Sequence, residues 1–161
     1  MRNVPKKNYF LLILLFAVTA FIVFFACNIY KSRTEKQYIS VMDTFITEVK
    51  LDDLNGYTLE NSQVVIFVSN KSDYSLKDVE EDYKKIITDY NLQHLFVYLN
   101  VSAAETLDSF NEMYNVSLTN NNLPILVVID EGKVVDSYVE AEYSKANIIS
   151  FLEKNEVIES D

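Results

Sequence analysis

The sequence contains a single cysteine, a single histidine, two glycines and two prolines, and its acidic residues outnumber the basic ones by 24 to 14. One unpaired cysteine excludes an intrachain disulfide. With only Gly56 and Gly132, there is no glycine-rich loop to cradle a phosphate. The lone histidine, His94, opens a strand-like segment and reads as a surface residue rather than a catalytic base. Basic charge is scarce where a nucleic-acid face would need it. Five of the 14 basic residues lie at or before Arg33 and all 24 acids lie after it, so residues 34–161 carry a net charge of −15. Nucleic-acid binding needs clustered Lys and Arg, so that class of partner is excluded. The same charge repels anionic lipid headgroups and keeps the region soluble.

One long apolar run is present. Tyr9 to Ala26 is free of charged residues, and eighteen residues at about 1.5 Å each span roughly 27 Å, close to a bilayer core. It is long for a signal-peptide core and reads as an uncleaved signal anchor. Arg2, Lys6 and Lys7 precede it and Lys31, Arg33 and Lys36 follow, so the positive-inside rule is nearly balanced. The acid-free tail favours a cytoplasmic N-terminus, which places the remainder outside the membrane. Ala26-Cys27 faintly resembles a lipoprotein processing site, but the bulky Phe25 and the length of the run favour an intact helix. The expected organisation is a tail over 1–8, an anchor over 9–30, a polar stalk over 31–43 and one domain over 44–161.

Within that domain, Phe45–Val49 has the composition of a strand and Leu51–Glu60 that of a short helix. Val64–Val68 is a continuous apolar run, which suits a central strand covered on both faces. Leu76–Tyr90 is the best helix. Leu76, Val79, Tyr83, Ile86, Ile87 and Tyr90 recur on one face, and Lys77, Asp78, Glu80, Glu81, Asp82, Lys84 and Lys85 are placed on the solvated side. Ser72 or Ser75 is the expected N-cap. Leu95–Val101 reads as a parallel strand, and Ala103–Tyr114 as a helix with Leu107, Phe110, Met113 and Tyr114 inward. Ile125–Ile129 and Lys133–Val139 form a hairpin about Asp130-Glu131-Gly132, and Ser144–Lys154 closes the chain as a helix. The expected fold class is α/β, a mixed sheet with helices on both faces, preceded by one transmembrane helix.

Two segments suggest a site. The strand Val64–Val68 runs into Ser72-Asp73-Tyr74-Ser75 at a helix start, and Leu123-Pro124 opens a later strand. This order, with its terminal hairpin and helix, resembles the thioredoxin-like superfamily over roughly residues 44–155. Within it, the text is similar to membrane-anchored bacteriocin-transport accessory proteins of the bacterial cell envelope. The resemblance places Ser72-Asp73-Tyr74-Ser75 where those proteins carry Cys-x-x-Cys, and Pro124 where they carry a cis-proline. Both motif cysteines are absent, so no catalytic role carries over. A serine hydroxyl forms no disulfide and needs a base to ionise near neutrality. The resemblance implies a redox-inactive binding or accessory module with no cofactor. Its partner would be an exported peptide or an envelope protein, docking at Ser72, Asp73, Tyr74, Ser75, Leu123 and Pro124. Two alternatives are a thiol-disulfide oxidoreductase accessory using a partner's cysteines and a structural component of a membrane complex. The acids Asp73, Asp78, Glu80, Glu81 and Asp82 near one helix start do not converge around a turn, so no metal site is expected. The Asn-x-Ser matches at Asn70, Asn100 and Asn115 read as accidental.

Overall fold

The computed structural model describes residues 6–36, 38–139 and 144–159, with side chains from 9 onward in the first stretch and to 33 there. The chain divides into two units, one ending at residue 37 and the other beginning at Tyr38. The first is a single helix, α1 (Lys6–Lys36). Its Tyr9–Arg33 portion is long and apolar enough to cross a membrane. Apolar side chains point out all around it, and every described one is exposed, a pattern that suits lipid rather than water. The helix continues through Lys36, so it includes the first half of the segment expected as a stalk.

The second unit begins earlier than expected. Met42 and Ile46 are buried in its core, so residues 38–43 belong to the folded unit and not to a free stalk. The elements that follow are β1 (Thr47–Glu48), α2 (Leu51–Glu60), β2 (Gln63–Ser69), a 3-10 turn (Tyr74–Leu76), α3 (Lys77–Asp89), β3 (Phe96–Asn100), α4 (Ala104–Tyr114), a 3-10 turn (Asn120–Asn122), β4 (Ile125–Asp130), β5 (Lys133–Tyr138) and α5 (Lys145–Lys154). The expected strand Phe45–Val49 shrinks to two residues. Phe45 and Ile46 instead close a turn by donating their amides to the Met42 carbonyl.

The strands form one five-stranded sheet in the order β1-β3-β2-β4-β5. β1 and β2 run parallel to β3, while β4 runs antiparallel to both β2 and β5. The apolar run in β2 has the cause inferred for it. Val65 and Phe67 face a core with Tyr83, Ile86 and Ile87 of α3 and Ile148, Phe151 and Leu152 of α5. Val64, Ile66 and Val68 face the other core, with Leu54 of α2 and Leu107 and Phe110 of α4. Successive side chains point to opposite faces of a strand, so a strand covered on both sides must be apolar at every position. Two residues expected inward are largely out: Tyr90 follows the end of α3 and Met113 faces away from α4's buried Leu107 and Phe110.

The β4–β5 hairpin turns on Glu131 (φ 48°) and Gly132 (φ 76°). Positive φ at both central residues is the signature of the type I′ turn, whose twist matches the flanking strands. A Cβ at Gly132 would also lie 2.8 Å from Leu59 Cδ2, but Leu59 is exposed and free to move. The backbone therefore sets most of the cost. Gly132→Ala is expected to lose about 1 kcal/mol of stability, read from urea unfolding of the detergent-solubilised chain. No loss would show that the turn does not require glycine.

Candidate functional site

Strand β2 delivers the chain to the loop that precedes α3, and its alternation decides what lies beneath that loop. Ser69, in phase with Val65 and Phe67, points to the α3 side and is fully buried. Glu80 sits three residues before Tyr83 and seven before Ile87, on the same stripe of α3, and is also fully buried. Its charge assigns Glu80 to the solvated face, and the structure corrects this: the residue follows the three- and seven-residue spacing of the buried stripe.

The buried carboxyl is satisfied by three hydroxyls from distant parts of the chain. Ser69 Oγ donates to Glu80 Oε1 at 2.7 Å, while Ser40 Oγ and Tyr38 Oη donate to Oε2 at 2.6 and 2.8 Å. A buried acid without such donors would be strongly destabilising. Burial pushes the Tyr38 phenol well above the ordinary tyrosine range, and its bond to Glu80 adds to this. Tyr98, level with Phe67 on β3, is buried beside the same group and its Oη has no partner in ordinary hydrogen-bond geometry. Burial raises its pKa too, against the opposing influence of the nearby Ser40 and Ser69 hydroxyls.

Above this layer the loop is held by its own short polar side chains. Asn70 Oδ1 accepts from the Ser72 amide at 3.1 Å and from Ser102 Oγ at 2.9 Å. Asn100 Oδ1 accepts from the Lys71 amide at 3.3 Å, so two of the three Asn-x-Ser asparagines are tied into loop geometry. Asp73, not either expected serine, caps the 3-10 turn: its Oδ1 accepts from the Ser75 amide at 2.9 Å and from Ser75 Oγ at 2.7 Å. The Tyr74 ring meets the Tyr38 ring edge-on, with centroids 5.5 Å apart at 89°. Lys71 lies 3.7 Å from both Asp43 and Glu48. These pairs are partly exposed and contribute little.

Leu123 and Pro124 come to the same end of the sheet. Val68 pairs with Ile125, and the antiparallel register then carries Pro124 and Leu123 alongside Ser69 and Asn70. The Leu123-Pro124 bond is cis. Leu123 is extended (φ −69°, ψ 146°), half-buried, and its amide and carbonyl make no hydrogen bond to any described residue. A half-buried extended residue with both backbone groups free resembles the edge of an unfinished sheet.

The remaining candidates separate. His94 is exposed in the turn before β3, at the opposite end of the sheet from Ser72. The acids of α3 do not act together: Glu81 pairs with Lys77, Asp82 with Lys85, and Glu80 turns inward. Among the described residues, no group of His, Cys, Asp or Glu is arranged to hold a metal. Cys27 lies on α1, exposed like its neighbours.

Both raised tyrosines give the domain an alkaline limit. Their folded pKa values lie above the ordinary value near 10, so the stability they contribute is fully present below about pH 10 and is lost as pH rises past it. Thermal midpoints measured from pH 8 to 11 should fall above pH 10, and Tyr98→Phe should flatten that fall. An unchanged slope in the variant would refute the assignment for Tyr98.

The geometry has counterparts among solved structures. The thioredoxin of Plasmodium falciparum superposes with a TM-score of 0.52 at 17% identity, covering 68% of this chain and 98% of that one. Thioredoxin f2 of Chlamydomonas reinhardtii gives 0.53 at 11% identity, over 71% and 99%. A complex of ferredoxin:thioredoxin reductase with thioredoxin f2 gives 0.54 at 18% identity, over 72% and 99%. No protein-family model matches the sequence, and no curated protein matches it. At these identities the likeness is one of fold: the chain has a thioredoxin-like fold with a single cysteine outside it.

Proposed function

We propose that this chain is a membrane-tethered, thioredoxin-like binding or accessory module that performs no thiol chemistry of its own. Its partner would be an extended segment of an exported peptide or envelope protein, with the folded unit on the outer side of the membrane. The observation that carries this reading is the free backbone of Leu123, half-buried and extended beside a loop held by the Asn70 and Asp73 side chains. An incoming strand can pair with that residue and gain main-chain bonds, while side-chain selection falls to neighbours such as Tyr74. Ser72 is exposed in that loop and offers a hydroxyl for recognition, while the single histidine, His94, lies at the opposite end of the sheet.

The tether follows from α1, whose Tyr9–Arg33 portion is long enough to span a bilayer. The absence of motif cysteines supports the non-enzymatic reading, since a disulfide relay requires a thiolate in the loop. The finer likeness to bacteriocin-transport accessory proteins belongs to this proposal as one concrete class of exported-peptide partner.

Photo-crosslinking in the native membrane tests the surface. A photoreactive residue at Leu123 should trap a partner that the same probe at His94, on the opposite end of the sheet, does not. Tyr74→Ala should reduce that product by roughly tenfold or more, as expected for an aromatic anchor. Equal yields from both positions, or a product indifferent to Tyr74→Ala, would overturn the assigned surface. Separately, the purified full chain should show no catalytic reduction of insulin by dithiothreitol above background. Measurable turnover would overturn the non-enzymatic reading and favour a partner-dependent oxidoreductase.

A further inference from the structure

We propose that Tyr38–Ser40 is a strap, latched by Glu80, that opens from the loop below it as a unit separate from the domain core. The attachments of this segment are of a different kind from those that follow it. Tyr38 and Ser40 each donate a hydroxyl to Glu80 Oε2, at 2.8 and 2.6 Å. The Ser40 amide donates to the Lys71 carbonyl at 3.0 Å, and the Tyr38 ring rests edge-on against Tyr74. Between them Ile39 is 62% exposed and contributes little burial. The first fully buried apolar residue is Met42, followed by Ile46. Tyr38–Ser40 is therefore held by hydrogen bonds and one ring contact, whereas Val41 already packs against the core and Met42 lies within it.

Such a boundary separates opening from unfolding. Free energies of local opening follow the contacts broken, and regions with few buried apolar contacts open first. The latch itself would survive the opening. Glu80 stays on α3, which Tyr83, Ile86 and Ile87 anchor in the core, and its Oε1 keeps the bond from Ser69. Solvent entering behind the departed strap would satisfy Oε2. Opening would uncover the Tyr74 ring where Tyr38 lies against it. The strap stands on the Glu80 geometry alone, and only its bearing on partner access rests on the docking reading above.

Hydrogen exchange on the full chain in nanodiscs tests it. The amide at position 40 should exchange at least about a hundredfold faster than the amides of β2 and β4. Tyr38→Phe keeps the ring and removes one latch hydroxyl, and it should accelerate exchange at position 40 roughly tenfold while leaving β2 and β4 unchanged. Glu80→Gln should act in the same direction. If the variant at Glu80 proves too unstable to study, Tyr38→Phe suffices, since it leaves Glu80 and Ser69 bonded. Exchange at position 40 at the rate of the core, or no response to Tyr38→Phe, would overturn the strap. Either result leaves the crosslinking at Leu123 untouched, and failure of that crosslinking leaves the strap standing, so the two readings fail separately.

Discussion

Everything in the folded unit depends on covering β2 from both sides. Its backbone pairs with β3 on one edge and β4 on the other, and its side chains alternate between two helical layers. A strand in that position leaves no polar backbone group unpaired and no apolar side chain in water. Its direction and register then fix the rest. The loop Asn70–Ser75 must emerge at the end where β3 stops at Asn100, and β4 must begin beside it, bringing Leu123 and Pro124 to the same place. The candidate site is a consequence of strand register before it is a matter of any side chain's chemistry.

The same alternation explains the least expected feature. Once Ser69 faces α3, the helix position across from it is enclosed on all sides. A leucine there would complete the core, but this chain has Glu80, and three hydroxyls are drawn from residues 38, 40 and 69 to satisfy it. Enclosing a carboxyl is expensive, and removing it alone would leave three hydroxyls without their acceptor, whereas a wholly apolar version of the site would cost little. What the arrangement contributes is position. One buried group joins the start of the folded unit, the end of the central strand and the helix that follows the loop. The loop above rests on a floor shared by three segments of the chain, and its conformation is further held by the Asn70, Asn100 and Asp73 side chains.

The likeness to thioredoxins is one of architecture. The loop before α3 holds Ser72 and Ser75, and Ser75 is hydrogen-bonded to the Asp73 carboxylate. Ser72 is exposed, and the Tyr74 ring lies against Tyr38. The region after residue 33 carries the chain's net negative charge, and the helix before it is long and apolar enough to cross a membrane.

Much of this was legible from residue order. The apolar run at Val64–Val68, the stripe of α3, the glycine of the hairpin and the apolar N-terminal segment each report a local rule that the tertiary structure obeys. Periodicity and turn chemistry act within a few residues, so one sequence suffices to read them. Other features required the folded chain. Charge alone put Glu80 in water, and only the convergence of Tyr38, Ser40 and Ser69, separated from it by 42, 40 and 11 residues, makes its burial possible. A sequence pattern cannot show that three remote hydroxyls will meet one carboxyl. For the same reason residues 31–43 read as a polar stalk, although Met42 is in the core and Tyr38 lies against Tyr74. The sequence by itself determined the elements, their order and the lack of a thiol in the loop. The tertiary structure decided what stands beneath that loop and beside it, because burial and partner choice depend on every segment that arrives there.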